Sequence, residues 1–323
     1  MTYRPLTGPE EIDLFCRLSY VLDHELTDDF ANGCRQPGWT WVALDGDRLL
    51  ARLAWWTPPG GDAPQQLDVF DVDDSLPRAE RHEIGLRLFR TAVAAVFRAG
   101  ARLPEYGRFL PADWREDPAA REVVESRTRV LESTGARLLV ERLRLQWASP
   151  SPLPRPDGRL VFRPVAGRED LLALMTPVME GTLDAHGQAD LASGLSARAA
   201  AEQHYDDELV TYESPQKWWR IAELPDGGGP VGFGVPAHNT YNPIIAYIGV
   251  LPAHRGHGYI DEILAEGTRI LAAEGVDRIR ASTDVGNVPM AKAFARAGYD
   301  TFQRSINLVW DSGVHADVDD ATG

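Results

Sequence analysis

The chain has 323 residues, of which 44% are hydrophobic and 25% charged, and its formal net charge is −15 at pH 7. This length predicts two domains of ordinary size, and the composition is typical of a globular protein with an apolar core. The acidic balance excludes nucleic acid as the main partner, because phosphate contacts need a basic surface. No apolar run approaches the roughly 20 residues of a membrane-spanning helix, so we expect no membrane partner. The N-terminus lacks the basic and apolar blocks of a signal peptide, and we expect a cytoplasmic protein. It is expected to be a monomer or homodimer.

Cysteine and lysine usage adds two expectations. Cys16 and Cys34 lie in the first half without metal-ligand spacing, so we interpret them as small buried residues and expect no metal. Lys217 and Lys292 are the only lysines among 33 basic residues, a bias typical of a GC-rich bacterial genome.

The first half predicts β-strands joined by tight turns. Apolar residues at 39–43 precede Asp45-Gly46-Asp47, which is a hairpin signal. A further strand is expected at 66–72. A proline-rich stretch at 148–156 then predicts an extended linker.

The second half alternates strands and helices. We expect strands at 160–164, 217–224, 231–237, 244–251, 277–283 and 300–310, and helices at 168–180, 195–211, 259–274 and 287–297. This order predicts an α/β (α+β) fold with a mixed sheet flanked by helices. We place a first domain at 1–148, the linker at 149–157, a second domain at 158–311 and a disordered acidic tail at 312–323.

The two halves repeat each other at both ends. The segment YRPLTGPEE at 3–11 recurs as FRPVAGRED at 162–170, an offset of 159 residues. Gly135 precedes Trp147 as Gly298 precedes Trp310, by twelve residues in each case. A period of this length indicates two whole domains of one fold rather than a solenoid.

A glycine-rich turn joins a strand to a helix at 247–260, which reads YIGVLPAHRGHGYI. Gly256 and Gly258 allow the backbone to approach an anion closely and to adopt positive φ. The first amides of the helix lack intrahelical partners and lie at the positive end of its dipole. The pattern therefore predicts an anion site where the helix begins, near Tyr259.

This stretch resembles the acyl-CoA pyrophosphate loop of the GNAT superfamily of N-acyltransferases, Arg/Gln-x-x-Gly-x-Gly/Ala after a Val-x-Pro strand end. Four positions match, namely Val250, Pro252, Arg255 and Gly258, while Ile260 replaces the final Gly or Ala. A second similarity lies at 287–299, where an Asn caps a helix that ends before Gly and an aromatic residue. The resemblance implies two tandem GNAT-like domains.

The resemblance also implies acetyl-CoA or another acyl-CoA as co-substrate. Its pantetheine arm would lie where the fourth and fifth strands splay at a bulge, beside backbone groups of Ile248 and Val250. Asn287 would reach the pantetheine amides. The pyrophosphate would be held by the amides of Arg255, Gly256, His257, Gly258, Tyr259 and Ile260.

The first half lacks this loop. Asp73 and Asp74 follow its strand at 66–72, and carboxylates there would repel a pyrophosphate. We interpret this half as a degenerate copy that keeps the fold and shapes the acceptor cleft.

Acyl transfer to an amine needs a base for the amine and an acid for the leaving thiolate. The family commonly places a tyrosine acid seven residues after the helix-opening Asn, where this chain has Phe294. Tyr247 is our preferred substitute, and Ser282, Thr283 and Tyr299 are alternatives. His238, Glu223 and Asp284 are candidate bases, His238 because histidine is the usual proton acceptor in catalysis near neutral pH.

The acceptor wall of the family lies after the first helix of the domain. There Asp184 could pair with a cationic substrate amine or cap a helix. An acetyl-CoA-dependent N-acyltransferase acting on a small-molecule amine is the preferred function. A GNAT-fold enzyme redirected to other chemistry in natural-product biosynthesis and a non-catalytic CoA-binding protein are the alternatives.

Overall fold

The computed structural model describes residues 1–310, and these divide into two compact units. The first unit contains residues 1–140 and residues 305–310, which form the end of the last strand. The second unit contains residues 141–304. The predicted tail at 312–323 lies outside the described residues. Among the helices within 1–310, none has the length and apolar character needed to cross a membrane.

The first unit has a sheet with helices packed on it. Its strands are β1 (Thr2–Pro5), β2 (Thr40–Asp45), β3 (Arg48–Trp56), β4 (Gln66–Val72), β5 (Glu105–Pro111) and the beginning of β6 (Ala136–Ala148). Its helices are α1 (Ile12–Phe15), α2 (Leu26–Ala31), α3 (Arg78–Val96) and α4 (Pro118–Glu132). The predicted hairpin joins β2 to β3 through Gly46, which has φ +56°.

The second unit repeats this arrangement. Its strands are β7 (Val161–Pro164), β8 (Arg220–Glu223), β9 (Pro230–His238), β10 (Pro243–Val250), β11 (Arg278–Asp284) and β12 (Asp300–Trp310). Its helices are α5 (Arg168–Met179), α6 (Ala185–Ala192), α7 (Ala197–Asp207), α8 (Tyr259–Ala273) and α9 (Val288–Arg296). The predicted elements of this half are all present, and α6 is an additional helix. The fold class is therefore the predicted mixed α/β sheet, built twice.

The division between the units falls inside two long strands rather than in the proline-rich linker. Strand β6 begins in the first unit, and its residues 141–148 pair with β11 of the second unit, from Arg142↔Asp284 to Ala148↔Arg278. Residues 305–310 of β12 in turn take the place beside β5 of the first unit. The domain boundaries at 148 and 158 that we expected from the sequence differ from this division. The reason is that the end of β6 pairs within the sheet of the second unit, and the end of β12 lies within the sheet of the first.

The tryptophans of the repeat mark this exchange. Trp310 stacks on Phe89 in the first unit, with ring centroids 5.5 Å apart, and donates a hydrogen bond to the Thr134 hydroxyl. Trp147 is buried in the second unit, where its ring lies beside Gly298. Each tryptophan thus fills the core that holds the glycine turn of the other repeat.

Two apolar cores in the second unit support the candidate site. On one face of the sheet, α5 and α7 cover a cluster that includes Met175, Trp219 and Phe233. On the other face, α8 and α9 cover Leu264 and Phe294. Strand β10 lies between these layers, so its successive side chains enter different cores.

Candidate active site

The loop before α8 has the backbone geometry of an anion site. Gly256 and Gly258 adopt φ of +83° and +76°, and Gly258 is the N-cap of a helix that begins at Tyr259 as predicted. A Cβ at Gly256 would meet open space, and one at Gly258 would meet only the Arg159 guanidinium, at 3.6 Å. The loop therefore leaves room for a ligand at the unpaired amides of the helix start.

Arg255 is the side chain that fixes this loop to its surroundings. Its guanidinium donates to four carbonyl oxygens, those of Val178, Glu180, Gly181 and Val250, at 3.0–3.3 Å. Three of these carbonyls lie at the end of α5 or just after it, where helical carbonyls lack partners. In this structure Arg255 thus binds protein carbonyls and positions the end of α5 beside the loop.

Arg159 and Glu262 approach the loop from the other side. Glu262, 1% exposed in the first turn of α8, accepts hydrogen bonds from the Gly158 and Arg159 amides and from Arg159 Nε. Arg159 Nη1 donates to the carbonyl oxygen of His257 at 2.8 Å. The carboxylate beside the helix start is therefore neutralised by a guanidinium that also holds the loop.

Strands β10 and β11 separate next to the loop. Their parallel ladder contains one pair, Ile244 with Arg280, within the described residues. A bulge interrupts the pairing of β10 with β9 between Ile245 and Tyr247, so that Ala246 is the additional residue. Backbone groups of Ile248 and Val250 follow the bulge on the splayed part of β10, which is the geometry that the resemblance implied for a pantetheine arm.

Tyr247 lies immediately after this bulge in the core formed by α5 and α7. Its ring contacts His204 and Phe233, with centroids 4.6 and 5.1 Å away, and its hydroxyl lies 3.5 Å from the Met179 sulfur. Burial raises the pKa of Tyr247 above its ordinary value, with a further contribution from the charge of Asp184. The phenol is therefore a protonated group at the opening between the strands.

Asp284 and Asp184 share one arginine. Asp284, 4% exposed at the end of β11, accepts from Arg142 Nε at 2.8 Å and from the Ala185 amide at 2.6 Å. Asp184 caps α6 through the Gly187 amide and accepts from Arg142 Nη2 at 2.7 Å. Both carboxylate oxygens of Asp284 therefore accept hydrogen bonds, one from Arg142 and one from the first residue of α6. This candidate base thus fixes the start of α6. The Asp184 side chain remains 44% exposed.

His238 lies away from Tyr247. It is the last residue of β9, opposite Pro243, whereas Tyr247 pairs with Val235. Three residues of strand, about 10 Å, separate the two levels. The His238 ring packs at 5.7 Å from the Trp218 ring, so the structure does not bring this candidate base to the opening between the strands.

The remaining candidates are held in other contacts. Asn287 caps α9 by accepting from the Met290 amide, as the sequence predicted, so any role toward pantetheine would use its remaining polar atoms. Tyr299 is buried with its hydroxyl 2.8 Å from that of Thr268, Ser282 donates to the Leu143 carbonyl, and Glu223 pairs with Arg163. Of the four acid candidates, Tyr247 alone lies at the bulge of β10.

Comparisons with known proteins agree with the fold. Residues 192–299 match the model of the acetyltransferase (GNAT) family. The tandem GNAT protein from the clavulanic acid biosynthesis pathway shares 16% sequence identity over 98% of both chains, with a TM-score of 0.51. A GCN5-related N-acetyltransferase from Sphaerobacter thermophilus shares 15% identity over 95% of this chain and 94% of that chain, with a TM-score of 0.57.

The chain has a tandem GNAT fold. The family match includes the loop, the bulge and α9 of the second unit, and it supports acyl-CoA-dependent transfer in general. At this level of identity the two structures show the fold alone. No curated protein matches the chain significantly in sequence.

The first GNAT-like unit keeps the bulge without the site. Its extra residue is Asp68, between Leu67 and Val69 of β4, so Val69 occupies the place of Tyr247. The parallel ladder of β4 with β5 contains two pairs, Gln66↔Glu105 and Leu67↔Tyr106, before the strands separate. The strand opening is thus a feature of both GNAT-like units, whereas the tyrosine occurs in the second.

In the first unit, side chains fill the space where β4 and β5 separate. Arg108 donates to the Phe70 carbonyl at 3.1 Å, Arg127 donates to the Val72 carbonyl at 2.8 Å, and the Tyr20 hydroxyl accepts from the Phe109 amide at 2.7 Å. Both guanidiniums lie close to the buried Asp71. Three backbone groups of these strands, the Phe70 and Val72 carbonyls and the Phe109 amide, therefore already have side-chain partners.

The aspartates that replace the loop are likewise paired. Asp73 accepts from Arg48 at 2.6 Å and Asp74 accepts from Arg127 at 2.9 Å. The predicted degenerate copy therefore has arginines and carboxylates where a GNAT cofactor site would have open backbone.

His204 and Glu208 lie beside Tyr247, and the sequence analysis did not single them out. They lie four residues apart at the end of α7, with His204 Nδ1 3.3 Å from Glu208 Oε2. The His–Glu spacing within the predicted helix at 195–211 was a usable signal, because residues i and i+4 share one helix face. Only the packing of α7 on β10 shows that this face meets Tyr247.

Proposed function

We propose that the protein is an N-acyltransferase that transfers an acetyl group from acetyl-CoA directly to the amine of a small molecule, in a ternary complex. One observation carries the proposal: a glycine-rich helix start with open amides adjoins the splayed and bulged part of β10. An acyl-CoA presents a pyrophosphate and an extended amide-bearing arm, and these features suit the two parts of the site.

The residues present fit this co-substrate. Space above Gly256 and Gly258 permits a phosphate to approach the backbone, and Arg255 and Arg159 hold the loop in shape. Asn287 and the backbone of Ile248 and Val250 would bind the pantetheine arm. The pyrophosphate ligands would be the amides of Gly256, His257, Gly258, Tyr259 and Ile260. The Arg255 amide, which the sequence also suggested, instead donates to the Pro252 carbonyl at 3.3 Å.

The proposed chemistry uses Tyr247 as the acid. The bound ammonium first loses one proton to water, and the free amine nitrogen then attacks the thioester carbonyl. The new C–N bond forms, the C–S bond breaks, and the leaving thiolate takes the phenolic proton. The second amine proton leaves the nitrogen to a base, and the phenolate regains a proton from water. The raised pKa of Tyr247 keeps this proton in place until the thiolate forms. The Met179 sulfur is a weak acceptor, so the hydroxyl remains available as a donor.

Asp184 is the proposed contact for the acceptor. Its partly exposed carboxylate and that of Asp284 both pair with Arg142, so one positive charge faces two negative charges. The surplus negative charge favours an acceptor that arrives as a cation. We place the acceptor between Asp184 and Tyr247, two residues that are coupled electrostatically.

Thiol release from acetyl-CoA in the presence of a panel of primary amines tests the function. The panel contains an alkylamine, a diamine, an amino sugar and an amino acid, and calorimetry measures CoA affinity in parallel. Amine-dependent thiol release supports the proposal. CoA binding without turnover would indicate a non-catalytic CoA-binding protein, and absence of CoA binding would indicate redirected chemistry.

A further inference from the structure

The end of α7 holds a histidine that the described chemistry does not use. His204 Nδ1 lies 3.3 Å from Glu208, and the other oxygen of Glu208 accepts a hydrogen bond from the Tyr212 hydroxyl at 2.5 Å. The His204 ring meets the Tyr247 ring at an interplanar angle of 66°. Tyr212, Glu208 and His204 therefore form a chain of contacts that ends at the proposed acid.

The nitrogen nearest to Glu208 determines the state of the other one. The 3.3 Å contact between His204 Nδ1 and Glu208 is an ion-pair approach rather than a hydrogen bond. Because an ionised carboxylate only accepts hydrogen bonds, we assign the proton of the neutral imidazole to Nδ1, the ring nitrogen that faces it. His204 Nε2 then bears a lone pair. This atom is buried and has no hydrogen-bond partner among residues 1–310.

A buried acceptor without a donor is unfavourable, by about 1–3 kcal/mol in typical cases. An amine N–H that entered beside Tyr247 would supply the missing donor. The 29% of the His204 side chain that is exposed lies on atoms other than Nε2, so an incoming amine would have to displace the groups that cover this nitrogen.

We propose that His204 is the base that takes the proton of the acceptor amine, and that Glu208 is its positioning residue. The inference rests on the proposed function. As the C–N bond forms, the amine proton passes to His204 Nε2, while the phenolic proton of Tyr247 passes to the thiolate. The imidazolium then loses its proton to water, and the phenolate regains one.

The charged and titratable groups around this pair agree with the assignment. Glu208 on the end of α7 is the anion in contact with His204, and Tyr247 faces it from β10. Asp184 and Arg255 act on Tyr247 from the α5–α6 segment and the α8 loop. Glu208 is therefore the carboxylate in contact with the ring that would carry the positive charge.

The tautomer of His204 gives a test that needs no acceptor. In the wild-type protein with 15N-labelled histidine, two-bond 1H–15N spectra should show His204 with its proton on Nδ1, and H204Q assigns the signal. E208A should remove this preference. A proton on Nε2 in the neutral wild-type imidazole would overturn the proposal.

Kinetics with acetyl-CoA and the amine panel give the second test. H204Q should lower kcat by about 100-fold or more, the usual contribution of a general base, while the Kd for acetyl-CoA stays unchanged. The matched control is H24Q, at a histidine whose side chain is 73% exposed in the first unit, and it should keep kcat within about twofold of the wild type.

The outcomes separate the two proposals. If the wild type acetylates an amine and H204Q, folded by circular dichroism, does so within about threefold, the base assignment is wrong and the proposed function stands. If the wild type binds acetyl-CoA and acetylates no amine of the panel, the proposed function fails and the base assignment fails with it.

Discussion

Arg163 donates two hydrogen bonds to the carboxylate of Asp170, at 2.6 and 2.9 Å. In the first unit Arg4 binds Glu11 in the same bidentate manner, 159 residues earlier, at 2.8 and 2.6 Å. Both carboxylates also accept from a backbone amide four residues before them. The sequence repeat is therefore a repeat of contacts, with Glu and Asp as equivalent acceptors.

The Arg4–Glu11 pair predicts a pH dependence of stability. The hydrogen bonds from Arg4, assisted by Thr7, lower the pKa of Glu11 from 4.5 to about 2 in the folded protein. A lowered folded-state pKa means that the pair stabilises the protein fully above about pH 4.5, and that this contribution is lost as the pH falls toward 2.

Glu11→Gln should therefore flatten the fall in thermal stability between pH 4.5 and 2. At pH 7 it should lower Tm by no more than about 2–4 °C, because the pair is partly exposed. Glu10→Gln is the matched control and should leave the acid limb as steep as in the wild type. An equally steep limb in Glu11→Gln would show that the pair does not act in this way.

Gly258→Glu should abolish acetyl-CoA binding, because it adds bulk and negative charge at the start of α8. Part of any effect could come from placing a side chain at φ +76°. Gly275→Glu controls for this strain, since Gly275 follows the other end of α8 with φ +78° and open surroundings. Calorimetry should show no affinity for Gly258→Glu and wild-type affinity for Gly275→Glu. Unchanged affinity in Gly258→Glu would exclude the loop as the cofactor site.

Arg159→Ala should weaken acetyl-CoA binding about tenfold, because it removes the guanidinium beside the buried carboxylate of Glu262 and leaves that charge with two backbone amides alone. The double variant Arg159→Ala, Glu262→Gln should recover part of that loss. Arg269→Ala, at an exposed arginine on the same helix, is the control and should bind as the wild type does. If the wild type, the single variant, the double variant and the control all bound acetyl-CoA with equal affinity, neither Arg159 nor Glu262 would act on the loop.

Trp147→Ala and Trp310→Ala should affect different units. Each removes a buried indole, at a cost of about 3–5 kcal/mol. Because Trp147 lies in the core of the second unit, its loss should lower the midpoint of the acetyl-CoA-stabilised thermal transition. Trp310→Ala should leave acetyl-CoA affinity at 25 °C within about twofold of the wild type. The reverse pattern would contradict the exchange of strand ends.

One acetyl-CoA should bind per chain. Side chains fill the opening between β4 and β5 of the first unit, namely those of Arg108, Arg127 and Tyr20. Their polar atoms form hydrogen bonds with backbone groups of these two strands. Titration calorimetry should give a stoichiometry of about one, and Asp73→Asn should not change it. A second tight equivalent would show that the first unit opens to a ligand.

Local patterns determined much of this protein. The glycine loop, the Asn287 cap and the alternation of strands and helices were readable because each depends on a few adjacent residues. The degenerate state of the first unit was readable too, since Asp73 and Asp74 stand where the loop would be.

Only the tertiary structure decided which strand ends complete which sheet, and which side chains meet. Strands β6 and β12 carry the same apolar pattern in either pairing, so the pattern cannot select the sheet that Trp147 or Trp310 enters. Asp284 could be recognised as a carboxylate, but its pairing with Arg142 depends on residues 142 positions apart. Contacts at such separations follow from the packing of whole elements, which no local spacing encodes.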